Sequence, residues 1–394
     1  MLQFGMPTLV ENRTLEDNIT LCKELGLSFV ELNMNFPEYQ IDKIENIDWF
    51  YKKADASGIY YTIHLDENMN IADFNPLVRE AYLETVRRTI EVAKQFVTLK
   101  NKYGKKEQPL ILNMHMHHGI YITLPDKKVQ MYERDFDVYR EYINQFVKLS
   151  EEWIGEADIK IAIENTNGFR EYEKKAIEKM LQSKCFVLTW DIGHSKATKE
   201  IDTSFICAHK DKLYHFHIHD GSENPQKDHL ALGDGETDLI ARLNMAKECN
   251  ARCVLETKTI ESLKRSVEWL KKNEAIKMYH SYVMGIDESI YTLENQGFEI
   301  NRDGGNFMVS FSEEKAVIWE EFISKHLEFE YWNEYLTENG AVFLFHLQDG
   351  IKRYEVNDFI NDEVLGLCER LCDCKFESIK RMLSDNHFYN RFID

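Results

Sequence analysis

The stretch "LYHFHIHD", residues 213–220, sets His215, His217 and His219 at every second position. Side chains alternate sides along a β-strand, so this spacing puts three imidazoles on one face. Imidazole ligates transition metals and moves protons near neutral pH. Other short apolar runs end the same way, in a group able to do chemistry. "YYTIHL" carries His64, "PLILNMH" ends in His115 and "IKIAIEN" carries Glu164; "FVLTWDIGH" runs into Asp191 and His194, and "RCVLET" into Glu256. Imidazole and carboxylate together suit Zn2+, Mn2+, Co2+ or Fe2+. Each of these residues alone is better explained as a hydrogen-bonded core histidine or a surface acid. Jointly they aim polar groups from several strand ends at one place. Buried acids without partners are costly, and one divalent cation between Glu164, Asp191, His217 and Glu256 is the simplest neutraliser.

The elements that must position these groups are legible up to about residue 272. Eight apolar runs, beginning at "LQFGM" and ending at "RCVLET", are rich in β-branched and aromatic residues and short enough to be strands. Amphipathic helical patterns lie between most of them, and Gly26, Gly58 and Gly155 stand just past three, where helices commonly end. Eight strands alternating with helices give the count of a (β/α)8 TIM barrel, whose chemistry sits at the C-terminal ends of the strands. A doubly wound open sheet is the competitor, and no GxGxxG follows the first strand to support it. Parity assigns Glu164, His217 and Glu256 to the barrel interior, and Phe216, Ile218, Ile163 and Leu255 to the outside. His215 then lies one layer below the cation as a structural group, with His219 and Asp220 at the rim. Gly168, Gly193, Gly233 and Gly235 fall in loops over the mouth, where the backbone must turn tightly.

The set His64, His115, Glu164, Asp191 with His194, His217, His229 beside "LGDG", and Glu256 resembles the xylose isomerase-like TIM barrel superfamily, over roughly residues 1–272. That superfamily includes sugar and sugar-phosphate isomerases and epimerases, and the endonuclease IV family of apurinic endonucleases. The epimerase branch implies one Mn- or Zn-type ion on Glu164, Asp191, His217 and Glu256, with Glu164 and Glu256 moving the proton and His194 contacting substrate. His64, His115, His229 and Lys258 are then substrate-side groups; Lys258 and Lys227 are candidate cations for a phosphate, each with an ordinary exposed lysine as the better-supported alternative. The endonuclease branch implies three zinc ions, with His64 and His115 as additional ligands, which leaves open a second ion here. Its third ion uses an Asp-x-His. In "KDHLALGDG" the His is His229, but Lys227 stands where that Asp belongs, and the adjacent Asp228 is expected to point elsewhere.

Composition bears on the choice. The 394-residue chain carries a net charge of −20, a poor surface for a nucleic-acid backbone. The expected partner is a small carbohydrate. No run approaches a membrane span, "MLQFGMPTLVENRT" has no secretory pattern, and eight scattered cysteines fit reduced thiols in a cytosol.

Two domains are expected: a barrel over 1–274 and a small α+β domain over 275–394. In the second, "GFEINRDGGNFMVSF" reads as two strands and "AVFLFHLQDGIKRYEV" as a hairpin on Asp349-Gly350. "EEKAVIWEEFISKHLEFEYWNEYL" and "NDEVLGLCERLCDCKFESIKRML" read as helices. The spacing of Cys368, Cys372 and Cys374 does not make a zinc site. Aromatic-rich "EFEYWNEYL" and "HFYNRF" read as core, with an oligomer or partner surface as the alternative; a homo-oligomer would form through this domain or the barrel.

Overall fold

A computed structural model describes residues 2–356, apart from 225–226, 274, 276–277, 285–287, 304–305, 313–314, 316–317, 320, 323–330, 338–339 and 348–349. The chain divides into two compact units, one of residues 1–22 with 27–270 and one of 23–26 with 271–394.

The first unit is a closed barrel of eight parallel strands: β1 (Gln3–Pro7), β2 (Phe29–Asn33), β3 (Tyr60–His64), β4 (Leu110–His115), then β7 (Ile159–Glu164), β8 (Phe186–Asp191), β9 (Leu213–Ile218) and β10 (Arg252–Leu255), which pairs with β1. A short hairpin, β5 (Tyr121–Thr123) with β6 (Lys128–Gln130), interrupts the connection after β4. No pattern had signalled it; its strands are only three residues long. Helices at Leu15–Glu24, Pro76–Tyr103, Phe136–Ile154, Glu171–Leu181, Leu239–Glu248 and Ile260–Lys272 each carry one buried stripe. Pro76 and the capping Asn75 start the longest of these, where a missing N–H costs nothing. Gly58 and Gly155 follow helices with φ of 67° and 58°, in the left-handed region that a Cβ disfavours. Gly193, in contrast, lies inside a short helix, Ile192–Ala197, and not in a loop.

The second unit contains a six-stranded antiparallel sheet: β11 (Met278–Met284), β12 (Glu299–Asp303), β13 (Asn306–Ser312), β14 (Tyr331–Thr337), β15 (Gly340–Leu347) and β16 (Gly350–Val356), in the order β12-β13-β11-β14-β15-β16. The two sequence-predicted strand pairs are present, although the turn at Asp349 lies outside the described residues. One expectation fails. Residues 331–336 were read as the end of a helix and form β14, in keeping with the strand preference of Tyr331, Trp332 and Tyr335. The remainder of that reading survives in part, because Ile318, Trp319, Glu321 and Phe322 are helical. Strand β11 was not expected at all. Val283, Ile290, Leu293, Phe298, Phe307, Val309, Phe311 and Trp319 form this unit's core. The helix, cysteines and aromatics expected beyond residue 356 lie outside the described residues.

Candidate metal centre and barrel mouth

TIM barrels usually fill their interior with Val, Ile and Leu. Here the upper layers are polar. Glu31, Thr62, Asn113, Glu164, Thr189, Asp191, His215 and His217 are each at most 1 % exposed. Such groups persist in a dry interior only when they satisfy one another. Thr189 Oγ1 donates to Asn113 Oδ1 at 2.6 Å, and Asn113 Nδ2 donates in turn to Glu164 Oε2. Asn165 grips the backbone of Asp191 from both sides, its Nδ2 donating to the Asp191 carbonyl and its Oδ1 accepting from the Asp191 N–H.

Ligand atoms of Glu164, Asp191, His217 and Glu256 all lie within 4.8 Å of one another. His217 Nδ1 is 2.8 Å from Glu256 Oε2 and 3.2 Å from Glu164 Oε1. His217 Nδ1 and Glu256 Oε2 are both buried. One imidazole nitrogen converging with three carboxylates forms a donor set that a divalent cation would satisfy. Burial raises the carboxyl of Glu164, but the His217 and His115 charges outweigh it and hold Glu164 well below the usual range. Glu256 is likewise held down, by Lys258 and His217 against its burial.

The remaining sequence-predicted residues converge on the same end of the barrel. His64 Nε2 and His115 Nε2 lie 3.4 and 3.1 Å from Glu164 Oε2, opposite the oxygen that faces His217. These three could themselves hold an ion. Burial lowers the His64 pKa, but Glu164 outweighs it and raises it to about 9. His194 is one-fifth exposed, with Nε2 3.7 Å from Asp191 Oδ2. Lys258 is half exposed and donates to Glu256 Oε1 at 2.9 Å, so its first partner in the protein is a candidate proton carrier and not a free anion site.

Two expectations are corrected. Asp228 does not point away: its carboxylate oxygens lie 3.2 Å from His194 Nδ1, 3.3 Å from His219 Nδ1 and 3.3 Å from His229 Nδ1. The reason is local. His229 takes a left-handed φ of 53°, which undoes the parity expected of an extended segment. The chain therefore has a carboxylate among three imidazoles despite Lys227, and His194, His219 and His229 are close enough to share an ion. Second, His219 and Asp220 are buried and not on an open rim. The Asp220 carboxylate accepts from the backbone N–H groups of Gly221, Gly233, Gly235 and Thr237, at 2.9–3.0 Å. It thereby ties down the "LGDG" loop that follows His229.

Sequence reasoning missed Glu31, Asn113 and Asn165. Each is a polar residue in or just past an otherwise apolar strand, and that was the available signal. Above the cluster opens a cavity of about 640 Å³, bordered by Glu67, His115, Arg170, His194, His229, Glu256 and Lys258. It is large enough for a monosaccharide or a somewhat larger ligand.

With fold and cluster in place, the chain belongs to the xylose isomerase-like TIM barrel family, whose pattern matches residues 19–273. No curated protein sequence matches it. Among solved structures it is similar to 3-keto-D-glucoside 4-epimerase from E. coli, at 16% identity and a TM-score of 0.53, over 69% of this chain and 100% of that one. It also resembles a xylose isomerase domain protein from Alicyclobacillus acidocaldarius (16% identity, TM-score 0.49, 70% and 98% covered). A third is D-allulose 3-epimerase from Methylomonas sp. in complex with D-allulose (14%, 0.48, 69% and 96%). At these identities the likeness is one of fold.

Proposed function

We propose that the protein is a divalent-metal-dependent isomerase or epimerase acting on a sugar, sugar phosphate or related polyol at the carbon beside a carbonyl. The observation that carries this reading is the convergence of His217 Nδ1 with the carboxylates of Glu164, Asp191 and Glu256, ligand atoms all within 4.8 Å of one another in a buried cluster. The ion would be of Mn or Zn type, with a second accommodated by His64, His115 and Glu164. When bound, it supplies a Lewis acid to the carbonyl and hydroxyl oxygens of the substrate. The chain's own groups do the rest. Glu256 and Glu164 sit on either side of His217 and are held ionised, as proton acceptors must be. Lys258 donates to Glu256 Oε1, the oxygen nearer His229, while Oε2 faces His217 Nδ1. His194 and His229 border the cavity and offer nitrogen atoms to substrate hydroxyls, while His64 and His115 approach from the far side of Glu164. The carbohydrate class comes from the family resemblance and from the activity of the E. coli fold neighbour. The test is incubation of the metal-loaded protein with ketoses and 3-keto-glycosides in deuterated water. Deuterium should enter at the carbon beside the carbonyl, and Glu256→Gln should lower the rate by about 10²-fold or more. Absence of exchange with every such substrate would end this reading.

A second reading, an endonuclease IV-like phosphodiesterase with several zinc ions, is favoured by one observation, the carboxylate of Asp228 among His194, His219 and His229. The net charge of −20 opposes it. Three zinc ions per chain and cleavage of abasic DNA would support it over isomerisation.

A further inference from the structure

We propose that Glu31 is a positioning residue that sets the tautomer and orientation of His217, and that His215 exists to hold Glu31 in place. The inference rests on the proposed role of His217 as a metal ligand. Glu31 belongs to β2 and His217 to β9, 186 residues apart. Glu31 Oε1 is 2.8 Å from His217 Nε2, and Glu31 Oε2 is 3.0 Å from His215 Nε2 and accepts from Thr62 Oγ1 at 2.7 Å. All four residues are essentially inaccessible.

An ionised carboxylate has no hydrogen to give, so each of these three contacts is donated to it. The imidazoles of His215 and His217 must therefore both carry hydrogen on Nε2. For a neutral, ligating His217 that leaves Nδ1 as the lone-pair nitrogen, and Nδ1 is the atom directed at Glu256 Oε2 (2.8 Å) and Glu164 Oε1 (3.2 Å). A carboxylate behind a ligating imidazole also strengthens it as a donor. Thr62 and His215 both engage Oε2, which pins the carboxylate so that Oε1 is reserved for His217. The alternating imidazoles of β9 thus have separate duties: one faces the cluster, and the one two residues before it anchors the acid behind it.

Glu31→Gln tests this, because it keeps the side chain's size and replaces one acceptor by an amide that donates. An amide N–H facing His217 Nε2 forces the ring to accept there and moves its hydrogen to Nδ1, where it blocks coordination. Manganese titration of the metal-free full-length chain should show binding weakened roughly 10- to 100-fold, with the far-ultraviolet circular dichroism unchanged. Thr62→Val, which leaves the carboxylate in place, should weaken binding less than Glu31→Gln does. A purely architectural role would lower the melting temperature and leave affinity of the folded chain untouched. Wild-type protein that takes up no manganese contradicts the metal reading itself. Wild-type uptake with Glu31→Gln unchanged overturns the role of Glu31 alone. Should Glu31→Gln fail to fold, nitrogen-15 NMR of the zinc-loaded wild-type chain decides. Hydrogen on His217 Nε2 supports the proposal, and hydrogen on Nδ1 overturns it.

Discussion

Gly193 packs so closely on His219 that a Cβ placed on it would lie 1.9 Å from the ring's Cε1. The ring has nowhere to retreat: it is fully buried, and its Nε2 lies 3.0 Å from Asp191 Oδ1. Gly193 is helical, so alanine meets no backbone penalty and the effect of Gly193→Ala isolates the collision. The variant is expected to lose about 1–3 kcal/mol from overpacking and to bind manganese roughly tenfold more weakly as Asp191 is pushed aside. Thermal unfolding and metal titration measure the two effects separately. Wild-type affinity would show that His219 does not control Asp191.

Asp220 supplies the second prediction. Its carboxylate satisfies four backbone N–H groups, and Asp220→Ala would leave them without an acceptor. An unsatisfied buried donor costs about 1–3 kcal/mol, and only the Gly221 bond is fully buried, so a loss of about that size is expected, with faster amide exchange at residues 233–237. Hydrogen exchange read by mass spectrometry checks this. Protection equal to wild type in that segment would mean the loop is held by something else.

These two residues mark the limits of the sequence. The barrel was legible because its strands are short apolar runs at regular intervals, and His64, His115, Glu164, Asp191, His217 and Glu256 follow from asking what ends each run. Strand parity also separates His217 from Phe216 and Ile218 correctly. What parity cannot carry is a change of backbone direction. The left-handed φ at His229 turns Asp228 toward the imidazoles, and nothing in "KDHLALGDG" encodes that turn visibly, since αL is uncommon for residues other than glycine. Glu31 was hidden for another reason: its partners are on β9, so no local spacing links them. The aromatic residues of β14 favour strand, but their charged neighbours gave a helical period, and pairing with β11 and β15 decides the outcome.

A third prediction concerns charge away from the mouth. The Lys100 side chain is fully buried, with Nζ 2.5 Å from Asp158 Oδ2. Burial holds its pKa below the ordinary 10.5, and Asp158 offsets only part of that. The folded chain therefore releases this proton at lower pH than the unfolded chain does. In the interval between the two values the unfolded state binds more protons, so stability rises with pH. Below that interval the full cost of a buried cation is present. Lys100→Met removes that pH-dependent cost and leaves Asp158, whose side chain is 44% exposed, to water. The stability of wild type relative to Lys100→Met should rise as pH climbs toward 10.5. Urea unfolding of both proteins across that range tests it; a pH-independent difference would contradict the assignment.

The central claim is that four side chains from β7, β8, β9 and the end of β10 converge on one divalent cation. Anomalous diffraction from crystals of the full-length protein grown with manganese tests it most directly. A peak within bonding distance of Glu164, Asp191, His217 and Glu256 is the predicted result. Manganese-containing crystals with no peak among those four residues would contradict it.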